Sequence, residues 1–534
     1  LANFRVGDIV ILYPGKTQNP TEYQIFKCTL IELSGDKIVL RLRSTQLNSK
    51  VFFDHKVWNI EPDLLDSSFN GLNRSIFEFI HSSENIRNKI LGIIAPDSTN
   101  QIFSPPEYLI ESQADIYQGA LQATDYYLIW GPPGTGKTSQ LVKALATHYY
   151  KFSERPILLA AYTNRAADEI CEAIENIVEN IKDHYVRIGA RYSTGMNYRE
   201  NLLENKLKTC THRNDVLEVL QKQKIVVGTL ASIGGKPELF EYFNFCCGIV
   251  DEASQVLEPM MAGLMSKLPK TILIGDHKQL PSIVTQSEMD SRVLENTLTG
   301  LGFENLADSL FERLFKRCQT KNWTNAFGML THQGRMNPEM VNFPNEMFYN
   351  FQLKSIELPH KVDAFEILQN KIGSDNIYFR QRISFINCDV LPDETHLKTN
   401  STEASHVLNL IKLINSNQNE NNPFSVGIIT PFRAQIAFLK SKIDDLEFDS
   451  THLTIDTVER YQGGARDIII VSLCANKKPS LKSITSINKE GIDRKLNVAL
   501  TRARSQIIIL GNKTILENDQ TYKQLISRYE VQLD

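Results

Sequence analysis

The stretch Gly131-Pro132-Pro133-Gly134-Thr135-Gly136-Lys137-Thr138 decides the fold, because it has the spacing of a phosphate-binding loop. It follows an apolar strand pattern at 126–130 and precedes a helical pattern at 139–149, which is the context that such a loop requires. Its glycines let backbone N–H groups surround phosphate oxygens, and Lys137 is expected to contact the β- and γ-phosphates. We therefore predict that residues 131–138 bind a nucleoside triphosphate.

A pair of carboxylates ends another apolar strand pattern farther along the chain. The sequence Ile249-Val250-Asp251-Glu252 places two acidic residues directly after a buried run. An isolated pair of this kind is usually a solvated strand end, but after a phosphate-binding loop it indicates hydrolysis. We expect Asp251 and the Thr138 hydroxyl to hold Mg²⁺, and Glu252 to orient or deprotonate the attacking water.

Runs rich in Ile, Val and Leu alternate with amphipathic helical patterns on both sides of this core. Nearly continuous apolar runs are typical of parallel strands that are buried on both faces. They fall into two series of five, at 126–130, 157–162, 225–228, 248–250 and 271–274, and at 384–387, 426–429, 453–456, 468–473 and 507–510. The sequence therefore predicts an α/β fold with two parallel-sheet domains, at 99–330 and 331–534, and a small insertion at about 181–222.

The first hundred residues differ from this pattern. Short strand patterns separated by turns predict a small accessory β-barrel at 1–60, and helical spacing predicts a stalk at 61–98. Residues 39–43 alternate apolar and basic side chains, and Phe52-Phe53 and Trp58 follow. This pattern fits either a face that binds a single strand or a barrel whose interior holds the aromatic rings. We favour the second interpretation.

The charge balance shows that the chain as a whole is not a polycation. Lys and Arg total 58 and Asp and Glu 62 in 534 residues, which gives a net charge of −4. Contact with a nucleic acid must therefore come from locally basic surface. One basic stretch is 464–511, which carries nine Lys or Arg and three Asp or Glu.

Cysteine usage and hydropathy indicate the compartment. No apolar run reaches the ~18–20 residues of a membrane span, and none of the eight cysteines forms a C-x-x-C pair. We expect free thiols in an intracellular protein, cytoplasmic in a bacterium or nuclear in a eukaryote. Because the chain begins at Leu1 and not at Met, we expect it to be a fragment of a longer protein.

Two further segments point to a family. Asp251-Glu252-Ala253-Ser254-Gln255, followed by Gly275-Asp276-His277-Lys278-Gln279-Leu280-Pro281, resembles motifs II and III of superfamily 1 helicases. More narrowly, residues 113–512 resemble superfamily 1B, in the branch that holds the nonsense-mediated-decay RNA helicase and the eukaryotic replication nuclease-helicase. The resemblance implies two RecA-like domains, ATP and Mg²⁺ as cofactors, Gln279 as the sensor of the γ-phosphate and Gln113 as the reader of adenine.

The resemblance also supplies arginines from the second domain. Gln333-Gly334-Arg335-Met336-Asn337-Pro338 resembles the motif that places Arg335 against the γ-phosphate. Asn497-Val498-Ala499-Leu500-Thr501-Arg502-Ala503-Arg504 resembles motif VI, which places Arg502 there too. A guanidinium suits this role because it is permanently charged and grips two phosphate oxygens at once. For Arg504, a surface ion pair and a contact with the phosphate are equal alternatives. Hydrolysis would then require the two domains to close.

Two positions depart from the family pattern. Gly334 stands where many eukaryotic relatives have a tyrosine that stacks on adenine, and Ala465 stands where motif V has an acidic residue for the ribose. The neighbouring Gly464 matches the motif and is expected to line the nucleotide site. We therefore expect recognition of base and sugar to be looser than recognition of the phosphates.

By the same resemblance, loops at the top of both domains carry the contacts with nucleic acid. Their hydroxyl, amide and N–H groups hold phosphates without reading sequence. The expected contacts are Thr163, Asn164, Arg165, Thr229, Ser232, Thr430, Arg433 and Thr457. The alternative for Thr163 and Thr229 is that they merely cap helices.

The sequence thus predicts an ATP-dependent 5′→3′ translocase and helicase that acts on single-stranded nucleic acid. DNA is favoured over RNA because the segment 64–69 and the residues around Arg335 resemble the replication and repair side of the family. We expect a monomeric motor, with a nuclease module or partner outside this chain. Two alternatives stay open: an RNA helicase, and a nucleic-acid-stimulated ATPase switch that remodels or recruits a partner without processive unwinding.

Overall fold

The computed structural model of the chain describes residues 4, 6–15, 23–34, 36–63, 68–284, 286–357, 363–391, 398–418, 423–444, 452–461 and 463–532. These residues form sheets of four, seven and five strands, together with one short two-stranded pair. The segment 64–69, which favoured DNA in the sequence analysis, lies mostly outside the described residues.

The N-terminal part is a small antiparallel sheet followed by two helices. Its elements are β1 (Ile9–Pro14), β2 (Phe26–Leu33), β3 (Ile38–Leu42), β4 (Trp58–Pro62), α1 (Ser68–His81) and α2 (Glu84–Leu91). The strand order is β3-β2-β1-β4, and the rings of Phe52 and Trp58 pack on the buried Val10, Phe26 and Cys28. Because β3 and β4 lie at opposite edges and do not pair within the described residues, the closed barrel predicted for 1–60 is not confirmed.

The next part is built on a seven-stranded parallel sheet with the order β11-β5-β10-β9-β6-β8-β7. All five predicted strands are present in it. The strands are β5 (Tyr126–Trp130), β6 (Ile157–Ala161), β7 (Tyr185–Ile188), β8 (Ile225–Thr229), β9 (Cys247–Asp251), β10 (Thr271–Gly275) and β11 (Phe327–Met329). The helices are α3 (Glu111–Gln122), α4 (Lys143–Phe152), α5 (Asn164–Ile174), α6 (Leu203–Lys206), α7 (Arg213–Gln221), α8 (Leu230–Gly234), α9 (Leu239–Tyr242), α10 (Glu258–Met265), α11 (Asn296–Gly300) and α12 (Leu310–Thr320).

The predicted insertion at about 181–222 contains one strand of the first sheet. Strand β7 lies inside this range, and it is the edge strand of the first sheet. Arg187 interrupts the apolar pattern of this strand, yet its side chain is fully buried because it pairs with Asp168 and donates to the carbonyl of Ile188. Strand β7 is therefore part of the first parallel sheet, and the insertion and its bounds stay a prediction.

The stalk helix α1 packs on α10 of the first parallel-sheet domain. A Cβ atom at Gly263 of α10 would lie 2.6 Å from the Cα atom of Ser75 in α1. Gly263 therefore permits the two helices to approach closely, and a larger residue there would push the stalk away from the sheet.

The last part is built on a five-stranded parallel sheet with the order β14-β18-β17-β15-β16. All five predicted strands are again present. The strands are the short pair β12 (His332–Gln333) and β13 (Lys354–Ser355), then β14 (Ile383–Asn387), β15 (Val426–Ile429), β16 (Leu453–Asp456), β17 (Arg466–Ser472) and β18 (Ala503–Gly511). The helices are α13 (Pro338–Tyr349), α14 (Ala364–Ile372), α15 (Ser401–Asn417), α16 (Arg433–Asp444), α17 (Val458–Tyr461), α18 (Leu481–Ile484), α19 (Arg494–Leu500), α20 (Lys513–Leu516) and α21 (Gln520–Tyr529).

The structure confirms an α/β fold with two parallel-sheet domains. One apolar cluster spans both of them, and it includes Leu128 and Leu273 of the first sheet, Ile469 and Ile507 of the second, and Phe343 of α13. All eight cysteines are free thiols. None of the helices in the described part of the chain combines the length and the apolar character that crossing a bilayer requires.

Candidate active site

The phosphate-binding loop connects the carboxyl end of β5 to a helical segment that begins at Lys137. Gly134 has a φ of 75°, which a side chain rarely adopts, and a Cβ atom there would lie 2.6 Å from Cβ of Arg335. The first turns of the segment, Lys137–Val142, are π-helical before α4 begins. The Lys137 ammonium donates to the carbonyl of Gly131 at 2.7 Å, so it lies folded over the loop that is predicted to hold phosphates.

The predicted metal ligands lie together at the end of β9. The Thr138 hydroxyl donates to Oδ2 of Asp251 at 2.6 Å, and the Glu252 N–H donates to Oδ1 of Asp251 at 2.8 Å. Burial and the neighbouring Glu252 raise the pKa of Asp251 to about 6. A buried carboxylate beside a hydroxyl and a second carboxylate suits a hard divalent cation, because such a cation stabilises the ionised form. These residues therefore fit Mg²⁺.

Glu252 is held in an unusual backbone conformation at the end of β9. Its φ is 55° and its ψ is 36°, a left-handed conformation that costs a non-glycine residue free energy. Its carboxylate accepts a hydrogen bond from the Gln255 side chain at 3.2 Å, and the residue lines the cleft in front of the loop. The conformation and the Gln255 contact hold Glu252 at the wall of the cleft, and its action on an attacking water stays a prediction.

Gln279 joins the first parallel-sheet domain to the second. Its side-chain N–H donates to Oδ2 of Asp276 at 2.7 Å, and its amide oxygen accepts from Nη2 of Arg502 at 2.6 Å. Both residues of the second contact are buried. The predicted γ-phosphate sensor and one predicted arginine finger are thus in direct contact.

Arg335 approaches the phosphate-binding loop from the second domain. The Gly334 N–H donates to the carbonyl of Gly134 at 2.9 Å, which holds residues 333–338, here called the finger segment, on the loop. Burial and the nearby Arg502 lower the pKa of Arg335 to about 9, and burial also lowers the pKa of Arg502. Arg335 is half-buried and Arg502 is buried, and two positive charges that line one cleft favour an anion beside them.

A cleft of about 670 Å³ lies between the two sheets, a size typical of small-molecule sites. Residues from both domains line it. They include Gly464, which was predicted to line the nucleotide site, and Gly334 and Ala465, which differ from the family pattern. Arg504 also lines the cleft and pairs with Asp467 at 3.1 Å, so the ion-pair alternative describes its position in this structure.

Gln113 lies beneath the loop. It is buried, its amide oxygen accepts from the Ile110 N–H at 3.3 Å, and its amide N–H donates to the carbonyl of Thr135 at 3.0 Å. In this structure it therefore supports the phosphate-binding loop, and its contact with adenine stays a prediction.

The predicted nucleic-acid residues occupy different kinds of position. Thr163 and Thr229 cap α5 and α8 by accepting N–H bonds from Ala166 and Ser232, as the alternative interpretation proposes. Thr430 is fully buried. The contacts of these three threonines with nucleic acid stay predictions.

Asn164 and Arg165, which follow Thr163 in the sequence, also differ from one another in position. The amide oxygen of Asn164 accepts from Arg187 at 3.3 Å. Arg165 lines the nucleotide cleft and pairs with Glu169 at 3.2 Å. Arg165 therefore lies at the nucleotide cleft, and its contact with nucleic acid stays a prediction.

A second cleft, of about 870 Å³, lies between the N-terminal sheet and the first parallel-sheet domain. It contains Ser232, one of the predicted nucleic-acid residues. The Arg41 guanidinium of β3 lies 5.8 Å from the centre of the half-exposed Tyr192 ring. The other charged residues that line it are Arg191, Glu204, Lys208 and Lys236. We call this surface the basic cleft. Most of its residues lie in the segment 188–208, which the sequence analysis treated as an irregular insertion.

Two families, each described as an AAA domain, match the chain: one at residues 109–215 and 203–287, the other at residues 306–514. An uncharacterized ATP-dependent helicase of Methanocaldococcus jannaschii is 26% identical, over 86% of this chain and 77% of that protein. The DNA polymerase alpha-associated DNA helicase A of Saccharomyces cerevisiae is 26% identical, over 96% of this chain and 85% of that protein.

A DNA replication ATP-dependent helicase/nuclease of Arabidopsis thaliana is 28% identical over 92% of this chain. The similar region spans 36% of that protein's own length. The chain thus matches well under half of this larger relative.

Proposed function

Because the chain belongs to the ATP-hydrolysing helicases of superfamily 1B, we propose that it moves 5′→3′ along single-stranded DNA and displaces the opposite strand. The observation that carries the motor part of this proposal is the hydrogen bond from Arg502 to Gln279, since it joins the two sheet domains at the nucleotide cleft. A site that needs both domains can convert each round of hydrolysis into a change in their separation. The direction rests on the resemblance of the motifs to superfamily 1B.

The residues of the cleft have distinct roles in this proposal. Thr138 and Asp251 would hold Mg²⁺, which would neutralise negative charge on the phosphates. Lys137 leaves the Gly131 carbonyl to contact the β- and γ-phosphates. Glu252 orients the attacking water and accepts its proton. Arg335 and Arg502 then oppose the charge that develops on the transferred phosphoryl group.

The basic cleft is the proposed path of the nucleic acid past the first parallel-sheet domain. Arg41, Arg191, Lys208 and Lys236 supply positive charge, while the exposed Tyr192 offers a ring for stacking on a base. Such a combination holds single strands without reading their sequence. Because the chain as a whole has a net charge of −4, contact with nucleic acid needs a locally basic surface. The basic cleft provides such a surface.

Changing Arg191 and Lys208 together to glutamate is expected to weaken single-strand binding by on the order of tenfold at moderate salt. The slope of log K against log salt concentration should become shallower by about 1.4, because two phosphate contacts are lost. Fluorescence anisotropy of a labelled homopolymer over a salt series measures both quantities. Lys151→Glu is the matched control, since Lys151 is exposed at the far end of α4. If the salt slope of the double variant is unchanged, the proposal that the nucleic acid passes through the basic cleft is wrong.

DNA is proposed as the substrate because the relatives from Saccharomyces cerevisiae and Arabidopsis thaliana carry DNA helicase and DNA replication in their names. We further propose that the chain works as a monomer, since this one sequence carries both the phosphate-binding loop and the arginines proposed to act on the γ-phosphate. By the same similarity, a nuclease activity would belong to a partner or to a segment outside these residues.

A strand-displacement assay tests direction and substrate together. With Mg²⁺ and ATP, a DNA duplex with a 5′ single-stranded tail should open, whereas one with only a 3′ tail should not. Matched tails of RNA should be less effective. Preferential opening of 3′-tailed duplexes would contradict the direction, and a preference for RNA tails would support the RNA-helicase alternative. Stimulated ATPase activity without displacement of any substrate would support the switch alternative.

A further inference from the structure

The last residue of α13, Tyr349, lies fully buried between the two parallel-sheet domains. Its hydroxyl donates to Oδ2 of Asp276 at 2.8 Å and accepts from the side-chain N–H of Asn497 at 2.9 Å. Asp276 belongs to the first parallel-sheet domain and Asn497 lies in α19 of the second. One phenol group therefore connects residues that are far apart in the sequence.

Asp276 is a fully buried carboxylate with several donors around it. Oδ1 accepts from the indole N–H of Trp130 at 2.9 Å and from the Lys278 N–H at 3.0 Å. Oδ2 accepts from Tyr349 and from the side-chain N–H of Gln279. Burial and the charge of Asp276 raise the pKa of Tyr349 well above its ordinary value, so its hydroxyl stays a donor. These bonds hold the carboxylate in one orientation.

This orientation decides which atom of Gln279 faces the arginine finger. With the Gln279 amide N–H bound to Asp276, the amide oxygen lies 2.6 Å from Nη2 of Arg502. A reversed amide would turn N–H groups toward the guanidinium, and two donors cannot bond to each other. Asn497 lies five residues before Arg502 and also donates to the Lys278 carbonyl at 2.7 Å, so the same contacts hold α19 against the first parallel-sheet domain.

We propose that Tyr349 is a positioning residue for ATP hydrolysis, which acts by fixing Asp276 so that Gln279 presents its oxygen to Arg502. Tyr349 lies outside every motif that the sequence analysis used. The inference rests on ATP hydrolysis alone and not on the direction of movement or the choice of DNA. Failure of the strand-displacement assay would therefore leave it untouched.

Tyr349→Phe keeps the ring and removes only the hydroxyl. We expect kcat for ATP to fall by about tenfold, because a buried hydrogen bond to a charged group is lost, while KM for ATP stays within about twofold. Tyr378→Phe is the matched control, since the Tyr378 hydroxyl bonds to His406 away from the cleft. A kcat within about twofold of the parent, or a change in KM alone, would overturn the proposal.

A double-variant comparison separates positioning from a general structural role. If Tyr349 acts through Gln279, then Tyr349→Phe should lower kcat no further in a Gln279→Ala background. An undiminished effect in that background would overturn the proposal. Should Tyr349→Phe lose its cooperative thermal unfolding, Asp276→Asn is the second variant. Its amide would present N–H groups to Gln279, and the same loss of kcat at constant KM is expected. An unchanged kcat in that variant would contradict the inference.

Discussion

Replacing Glu252 by glutamine is expected to slow ATP turnover by about 10²–10⁴ while ATP still binds. Glutamine keeps the size of the side chain but cannot accept the proton of the attacking water. Glu252 follows β9 and lines the nucleotide cleft, so the substitution acts at the site itself. Steady-state kcat and the equilibrium Kd of a fluorescent ATP analogue measure the two effects separately.

Glu218→Gln is the matched control for Glu252→Gln, because Glu218 is exposed on α7. Lys137→Ala in the same assays should abolish turnover and also weaken binding, since the phosphates lose their mobile positive partner. If Glu252→Gln turns over ATP near the parental rate, the assignment of the hydrolytic carboxylate is wrong.

The second large effect is expected from Arg335→Ala and Arg502→Ala. Each should lower kcat by about 10³–10⁵, the range found for arginine fingers, with a much smaller change in the affinity for ATP. The reason is that negative charge on the γ-phosphoryl oxygens is most concentrated as the bond breaks. In this structure the two guanidinium groups donate to neutral oxygens of Thr501 and Gln279, so their charge is available to the phosphate.

Single-turnover rates and the Kd for ATP distinguish the two roles that these arginines can have. Arg528→Ala is the control, since Arg528 pairs with Glu346 away from the cleft. If both finger variants lose ATP affinity without a loss of rate, the arginines bind the ground state. The argument for domain closure would then fail.

The two sheets and the phosphate site were predictable because their signals are local. A strand such as Val426–Ile429 is a short apolar run wherever it lies, and the glycines and Lys137 of the loop have a fixed spacing. Strand β7 was missed because it contains Arg187, whose burial depends on Asp168 in another element. Strand β11 has three residues with a glycine at its centre, too short a pattern to predict a strand.

The contacts of Tyr349 between the domains could not be predicted for a different reason. Tyr349 meets Asp276 and Asn497 across separations of 73 and 148 residues, and no spacing in the sequence encodes such a meeting. The basic cleft is similar, because Arg41 and Tyr192 come together only after the N-terminal sheet docks on the first parallel-sheet domain.

The hydrogen bond between the Gly334 N–H and the Gly134 carbonyl has a thermodynamic consequence. It ties the finger segment to the phosphate-binding loop, so ATP is a ligand of the junction between the domains as well as of the loop. If a single strand favours the same junction, the two ligands form a linked system. The factor by which the strand tightens ATP must then equal the factor by which ATP tightens the strand. The Glu252→Gln variant is expected to bind ATP with little hydrolysis. Both factors can therefore be measured at equilibrium in that variant.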